Sequence, residues 1–504
     1  MYIMSKKCYD TSEKIDREQE CVEVNYQHRN FESILEIFSV LFIPFLCNSG
    51  KKFLQISNAS FFLPACFYLL GSSSIIQLYE PLLWLSSFPF CILYVGFGEN
   101  SVLYHEMYTV CLYNALLSLT QRWKWLSIVL DGLGNSSVNL KLHETVILAF
   151  LEITQNSFTF IEGILICTGL TGLCFATFSY EVSPVVSVLS GVLLISLPTL
   201  ILLNLCILKL AAKLHLSALF TTCLIYFFSA LLVFLVSRSW VAGQLGQAPE
   251  VWLFNQIFSH RNSLTRIKII IWWIICLGCF IFILLRSNRN NPLGKYFTTE
   301  DEVLNFRRKT YHALVVFLFL PVCCLDPHFL HLSFSGVLFI FLFVEGIRIL
   351  RLKPFGKMIH EFLWEYTDNR DHKGPLIISH IYLLIGCAIP IWLSNALKGP
   401  VASVELLVGV LCLGCGDSMA SIIGKRFGKH RISKTNKSIE GVFAFSISVF
   451  LVLHLTQAFH VCPSVTFWKT LFMSLCTAIL EGVSTENDNL ILPMYMWVLY
   501  QALD

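Results

Sequence analysis

The sequence predicts an all-α, polytopic transmembrane protein, and three observations carry that expectation. Of its 504 residues, 55% are hydrophobic and only 14% are charged, above the roughly 45–50% apolar content of soluble domains. Mean hydropathy is correspondingly high, at +0.67. Apolar runs approaching the roughly 20 residues that a bilayer requires recur along the chain, as at Val182–Leu208, Leu214–Val236, Ile267–Leu285, Leu332–Leu350 and Leu376–Ser394. Together they read as about fourteen spans, give or take two.

Taken in order, the chain opens with a polar tail, residues 1–33, which holds no apolar stretch ending in a small-residue cleavage site. The first span is therefore expected to act as its own targeting signal. Residues 34–285 form an N-terminal transmembrane region of eight or nine hydrophobic segments with few charges and no chemical constellation. Within it, Gly243–Arg261 carries Gln247, Pro249 and Glu250; it is too polar to span and belongs at an interface. Most of the nineteen cysteines lie inside apolar runs, such as Cys47, Cys66, Cys206 and Cys387, so packed, reduced thiols are expected rather than disulfides. The pairs Cys276/Cys279 and Cys412/Cys415 lack a second pair or a histidine partner, which makes them a weak signal for zinc or redox chemistry.

A polar connector opens the C-terminal part, residues 286–504, in which seven apolar segments follow at about 311–325, 332–350, 376–395, 402–420, 440–458, 467–481 and 490–503. Alternation then places the connectors 286–310, 351–375, 421–439 and 482–489 on one side. That side, with Arg348 at a span end, carries eighteen Lys and Arg residues, against Lys398 and Lys469 alone on the other. By the positive-inside rule the four connectors face the cytosol, where nucleotides are available. The formal net charge of +3 gives no reason to expect a nucleic-acid partner.

The chemistry concentrates in Gly414–Gly428 and the loop after it. On a helix over 404–423, Asp417, Ser421, Gly424 and Gly428 fall on one stripe, with Ala420 beside it. Such a stripe lets a ligand or another helix approach the backbone closely. The alternative is a small-residue packing seam whose aspartate merely pairs with a neighbour, but an intramembrane carboxylate is costly unless it is used. Downstream, Lys434 and Lys437 have the charge to neutralise a triphosphate, and Ser438 can cap the next helix. Glu440, before Gly441, can hold a lysine or a metal. A basic loop after a span is otherwise only a topogenic signal.

Further charged groups recur at the same depth: Glu345 with Arg348, then Glu481, Glu486 and Asp488. Magnesium usually takes one or two protein carboxylates together with phosphate oxygens and water, so this set has enough acids for a metal and a base. Glu345 and Arg348 also suit a simple i,i+3 pair. Arg307, Arg308, Lys309 and His312 stand at the mouth of one span, and Asp371, Lys373 and Gly374 lie in a polar loop.

Several blocks taken together resemble the dolichol kinases within the CTP-using polyprenol, phytol and diacylglycerol kinases. They are Arg308-Lys309 with His312, Glu345, Lys373-Gly374-Pro375-Leu376, His380 to Leu384, Gly416-Asp417 with Ala420-Ser421, Gly424 and Gly428, Lys437 to Gly441, and Glu481 with Asp488-Asn489-Leu490. The resemblance covers roughly residues 300–504. One departure is Asn436, where the family often carries a second lysine, which leaves Lys437 as the main phosphate ligand.

The resemblance implies transfer of the γ-phosphoryl group of CTP to the hydroxyl of dolichol, in the endoplasmic reticulum membrane, supplying a lipid carrier for protein glycosylation. Asp417 would hold Mg2+ or a similar divalent cation. Lys437 and Glu440 would complete the donor site, and Glu481 or Asp488 would accept the alcohol proton. Gly416, Ser421, Gly424, Gly428, Lys434, Ser438 and Gly441 fall on the nucleotide side; Arg308, His312, Glu345 and Lys373 fall on the substrate or headgroup side. A cytidylyltransferase would need an acidic, His-Gly-Gly-containing signature that is missing here. A secondary transporter would show related broken helices in both halves, and no such pairing is visible.

Overall fold

The computed structural model describes residues 138–170 in part, 196–290 apart from residue 260, 300–364, and most of 367–502. The tail 1–33, the apolar segments before residue 138, residues 171–195, and Cys47, Cys66, Lys434 and Glu486 lie outside the described residues. All described residues belong to one compact unit, Phe61–Asp504. They are helical, with a single isolated antiparallel bridge between Arg431 and Ser438.

Among the described residues, the N-terminal region begins with α1 (Val138–Thr154), α2 (Leu197–Lys213) and α3 (Ala218–Val236). Ser217 ends the short turn between α2 and α3, and its side chain accepts from Phe220 N at 3.3 Å, which satisfies an otherwise orphaned first-turn amide. Residues 242–259 break into short helical turns, Ala242–Leu245, Pro249–Phe254 and Asn255–Ser259, none long enough to span. Helix α4 (Ser263–Asn290) follows, and its buried Arg266 donates to Asp326 Oδ2 at 2.8 Å.

Each of the seven apolar segments expected after Arg286 is a helix. These are α5 (Glu300–Leu325), α6 (Pro327–Ile349), α8 (Ser379–Lys398), a broken helix running from Val404 to its regular end α9 (Ser418–Phe427), α10 (Ile439–Ala458), α11 (Phe467–Val483) and α12 (Asp488–Ala502). Asp326 caps α6 by accepting from Phe329 N at 3.0 Å, with Pro327 in the first turn, where a missing N–H costs nothing. One further helix, α7 (Phe355–Trp364), occupies the connector between α6 and α8. Six helices among the described residues are long and apolar enough to cross a membrane: 218–241, 263–283, 307–325, 327–349, 408–427 and 439–458. The expected total of about fourteen is not reached among the described residues, where the other apolar segments form shorter helices.

The segment 404–427 is the most buried of these candidates and forms the centre of the bundle. It changes geometry as it runs, with a 3-10 turn at Val404–Leu406, a short α turn, and a π-helical stretch at Leu411–Asp417. Its glycines admit neighbouring helices. A Cβ on Gly414 would sit 2.2 Å from Val316 of α5, and one on Gly416 would sit 2.7 Å from the Phe445 ring of α10. A similar contact joins α8 to α12, where a Cβ on Gly386 would lie 2.0 Å from the Asn489 carbonyl oxygen. The described cysteines are free thiols, and Cys412 rests against Met496 sulfur at 3.2 Å.

Gly386→Ala therefore has no room that a side-chain rotation can create. It is expected to destabilise the protein by about 1–3 kcal/mol, seen as a lower thermal unfolding midpoint in detergent. Gly336→Ala, whose Cβ meets nothing within 4 Å, should leave that midpoint unchanged or raise it.

Candidate functional site

At the C-terminal end of the central helix, two connectors and the first turns of α5 enclose a cavity of about 300 Å³. Helix α5 supplies Asn305, Arg308, Lys309 and His312, and the central helix supplies Asp417, Ala420, Ser421, Gly424 and Lys425. The loop before α10 contributes Arg431, Lys437, Ser438 and Gly441, and the junction of α11 and α12 contributes Glu481, Asn487, Asp488 and Asn489. Five cationic side chains (Arg308, Lys309, Lys425, Arg431, Lys437) thus line the cavity beside three carboxylates (Asp417, Glu481, Asp488). That excess suits an anion that carries several charges.

Two ion clusters hold the walls in place. Asp417, with 6% exposure, pairs through Oδ2 with Lys309 and lies 3.1 Å from His312 Nδ1. His312 Nδ1 is also 3.0 Å from the Leu413 carbonyl oxygen, inside the π-helical stretch. Across the cavity, Lys437 Nζ donates to both Asp488 oxygens at 2.9 Å and to the Glu481 carbonyl oxygen at 2.6 Å, with Glu481 Oε1 at 3.4 Å. Burial opposes the charge on Lys437, but Asp488 and Glu481 outweigh it and hold the ammonium above the ordinary lysine range. The charge, and the stability it brings, thus persists through neutral pH and is lost only as pH rises above that range.

The loop between α9 and α10 owes its shape to local hydrogen bonds. Ile432 N donates to Lys437 O at 2.8 Å, Ile439 N donates to His430 O at 3.0 Å, and Thr435 Oγ1 donates to Gly482 O at 2.8 Å. Ser438 caps α10 as expected, accepting from Gly441 N at 3.1 Å. Gly424, Gly428 and Gly441 are explained chiefly by helix packing. A Cβ on Gly441 would meet Ala420 O at 2.8 Å, and those on Gly424 and Gly428 would meet Ser438 at 2.8 and 2.6 Å. Gly424 and Gly441 nevertheless border the cavity, whereas Gly416 and Gly428 do not.

Three charged candidates, Glu440, Glu345 and Lys373, also lie elsewhere. Glu440 does not line the cavity; it accepts from Lys429 N at 3.1 Å and His430 N at 3.2 Å and contacts His430 Nδ1 at 2.8 Å, so it braces the loop. Glu345 is buried in a second cluster, where Arg348 Nε donates to its Oε2 at 2.7 Å and Ile377 N donates to its Oε1 at 2.7 Å. Asp371 accepts from Ile378 N at 3.0 Å and from Ser379 Oγ at 2.7 Å, capping α8, while Lys373 is exposed. The 351–375 connector therefore builds a polar clip of its own and does not border the cavity. That clip also meets the N-terminal region: Leu376 N donates to Ser157 Oγ at 3.2 Å, and Tyr382 Oη donates to Glu162 Oε2 at 3.0 Å.

Sequence reasoning missed Lys309 as the partner of Asp417, and it missed Asn305, whose side chain hydrogen-bonds Ser421 at 3.1 Å. The spacing of Asn305, Lys309 and His312 along one face of α5 carries the signal, but the neighbouring basic residues obscure it.

No cluster of three or more His, Cys, Asp or Glu side chains suited to a metal ion occurs among the described residues. Asp417 beside a cation-lined cavity fits the other common arrangement, in which magnesium takes one protein carboxylate and otherwise phosphate oxygens and water.

Fold and site together define a multi-helix membrane protein with a polyanion-receptive cavity at one end of its bundle. The family model described as Dolichol kinase matches residues 143–436, and the chain belongs to that family. It is 34% identical over 284 residues to Dolichol kinase EVAN of Arabidopsis thaliana, covering 55% of this chain and 48% of that protein. It is 36% identical over 256 residues to Dolichol kinase of Saccharomyces cerevisiae (50% and 45% covered), and 32% identical over 310 residues to Dolichol kinase of Homo sapiens (55% and 56% covered). The chain thus spans about half the length of the curated relatives it matches. No solved structure matches it.

Glu345→Gln strands the buried Arg348 guanidinium. It should cost about 3–5 kcal/mol of stability, measured as a fall in the thermal midpoint, and the double change with Arg348→Met should recover part of the loss.

Proposed function

We propose that this chain is a CTP-dependent dolichol kinase of the endoplasmic reticulum membrane, with its donor site facing the cytosol and its product serving as a lipid carrier for protein glycosylation. The observation that carries this reading is the cavity itself. Carboxylates and cations from distant parts of the sequence meet at a helix end, in a chain whose family is named for this activity.

In this reading the triphosphate sits among Arg308, Lys309, Lys425, Arg431 and Lys437. Lys309 and His312 fix the Asp417 carboxylate, and Asp417 would hold a divalent cation that neutralises charge on the β- and γ-phosphoryl oxygens. The alcohol oxygen attacks the γ-phosphorus, the bond to the β-phosphoryl oxygen breaks, and CDP leaves. Phosphoryl transfer spreads charge over equatorial oxygens, so positioned cations contribute most of the acceleration. Glu481 is the better placed of the two candidate proton acceptors, because Asp488 commits both of its oxygens to Lys437 at 2.9 Å. Exposed Met419, Ile422 and Phe427 on α9 offer the isoprenoid tail an apolar surface beside the cavity.

Purified full-length chain, incubated in detergent with dolichol and γ-labelled CTP or ATP, tests the reading. Label should reach lipid from CTP. Asp417→Asn and Lys437→Met should each lower kcat/KM by about 100-fold or more, and Glu440→Gln by less than about tenfold. Transfer from neither donor in a folded sample overturns the assignment.

A further inference from the structure

A second cavity, of about 320 Å³, lies where α6 turns into α7, lined by Arg351, Lys353, Pro354, Lys357, His360 and Glu361. It shares no residue with the candidate donor site. Arg351 adopts a left-handed backbone (φ 48°), and the turn packs so tightly that a Cβ on Gly356 would meet the Arg351 backbone at 2.6 Å. Three cations face one carboxylate here, and that carboxylate, Glu361, is 3.5 Å from Lys357. Among the described residues, Arg351 and Lys353 have no ion-pair partner.

Helix α7 is amphipathic in an unusual way. Ile359 packs inward against the cluster formed by Ile207, Ile225, Ile347 and Leu352, while Phe355, Met358 and Phe362, at i, i+3 and i+7, form an apolar stripe 51–60% exposed. Lys357 and Glu361 run along the polar side of that stripe. The helix begins six residues after the end of α6, a helix long and apolar enough to cross a membrane. It therefore stands at headgroup depth, where an apolar stripe enters the acyl boundary and cations meet phosphate.

From this placement we propose that the corner between α6 and α7 is a binding site for the phosphate of an anionic phospholipid in the surrounding leaflet. Arg351 and Lys353 engage the headgroup, and Phe355, Met358 and Phe362 pack against its acyl chains. The charge excess selects anionic over zwitterionic lipid, and the flanking apolar stripe selects a lipid over a free phosphate.

The test uses full-length chain in detergent with spin-labelled phosphatidylserine or phosphatidylcholine, reading the motionally restricted fraction. Phosphatidylserine should bind preferentially. The double change Arg351→Gln with Lys353→Gln should weaken that preference by roughly fivefold or more, while the charge-matched pair Lys209→Gln with Lys213→Gln, also exposed, should leave it intact. Arg351→Lys with Lys353→Arg should preserve binding, which guards against a mere folding defect. Equal loss in both charge-matched variants, no loss in either, or displacement by inorganic phosphate as readily as by phosphatidylserine each overturns the proposal. So does competition by a short prenyl phosphate without any binding of phosphatidylserine.

Discussion

Asp417 is a carboxylate buried near the end of the central helix, and the architecture of the candidate site is largely the set of conditions that make its burial tolerable. Removing a charge from water costs several kcal/mol unless a partner and further hydrogen bonds compensate. Lys309 and His312 from α5 provide that compensation, and in doing so they fix the entry of α5 against the central helix. The second cluster solves the same problem on the opposite wall, where Lys437 ties the loop before α10 to the junction of α11 and α12. Arg308, Lys425 and Arg431 line the same cavity between these two ion clusters.

The backbone makes those clusters possible. Ordinary side chains at 414, 416 and 424 of the central helix and at 441 of α10 would hold these helices and their neighbours apart by the width of a Cβ and more. Glycine at these positions lets α5, α10 and the central helix approach to contact distances that place Lys309 and Ser438 within reach of the same cavity. The π-helical stretch ending at Asp417 adds to this, because it leaves the Leu413 carbonyl oxygen beside the His312 ring. Packing and chemistry are thus served by the same small residues.

Much of this was legible in the sequence. All seven apolar segments after Arg286 are helices, and Asp417, Ser421 and Gly424 of the expected stripe face the cavity while Gly428 does not, because helical periodicity and hydrophobic run length are local properties that hold only as far as the helix does. What escaped was non-local. Glu440 sits beside Lys437 and Ser438 in sequence, yet the loop's bridge turns its carboxylate onto the amides of Lys429 and His430. Glu345 does form the i,i+3 pair with Arg348 that their spacing allowed, but its second partner, the Ile377 amide, is 32 residues away in sequence. Lys309 stands among basic neighbours at the mouth of a span, and only the packing of α5 against the central helix singles it out. The glycines, whose spacing suits the approach of either a ligand or another helix, chiefly admit a helix, a distinction that spacing alone does not make.

Segments far apart in sequence meet at one charged cavity, which requires that they share one side of the membrane. Single cysteines placed at Asn305, Arg431 and Asn487 in the full-length chain, reconstituted in sealed vesicles and treated with a membrane-impermeant thiol reagent, test it most directly against the wild-type background. The account predicts that all three react from the same side and that CTP protects all three. Labelling of any one from the opposite side, or protection of one without the others, would contradict it.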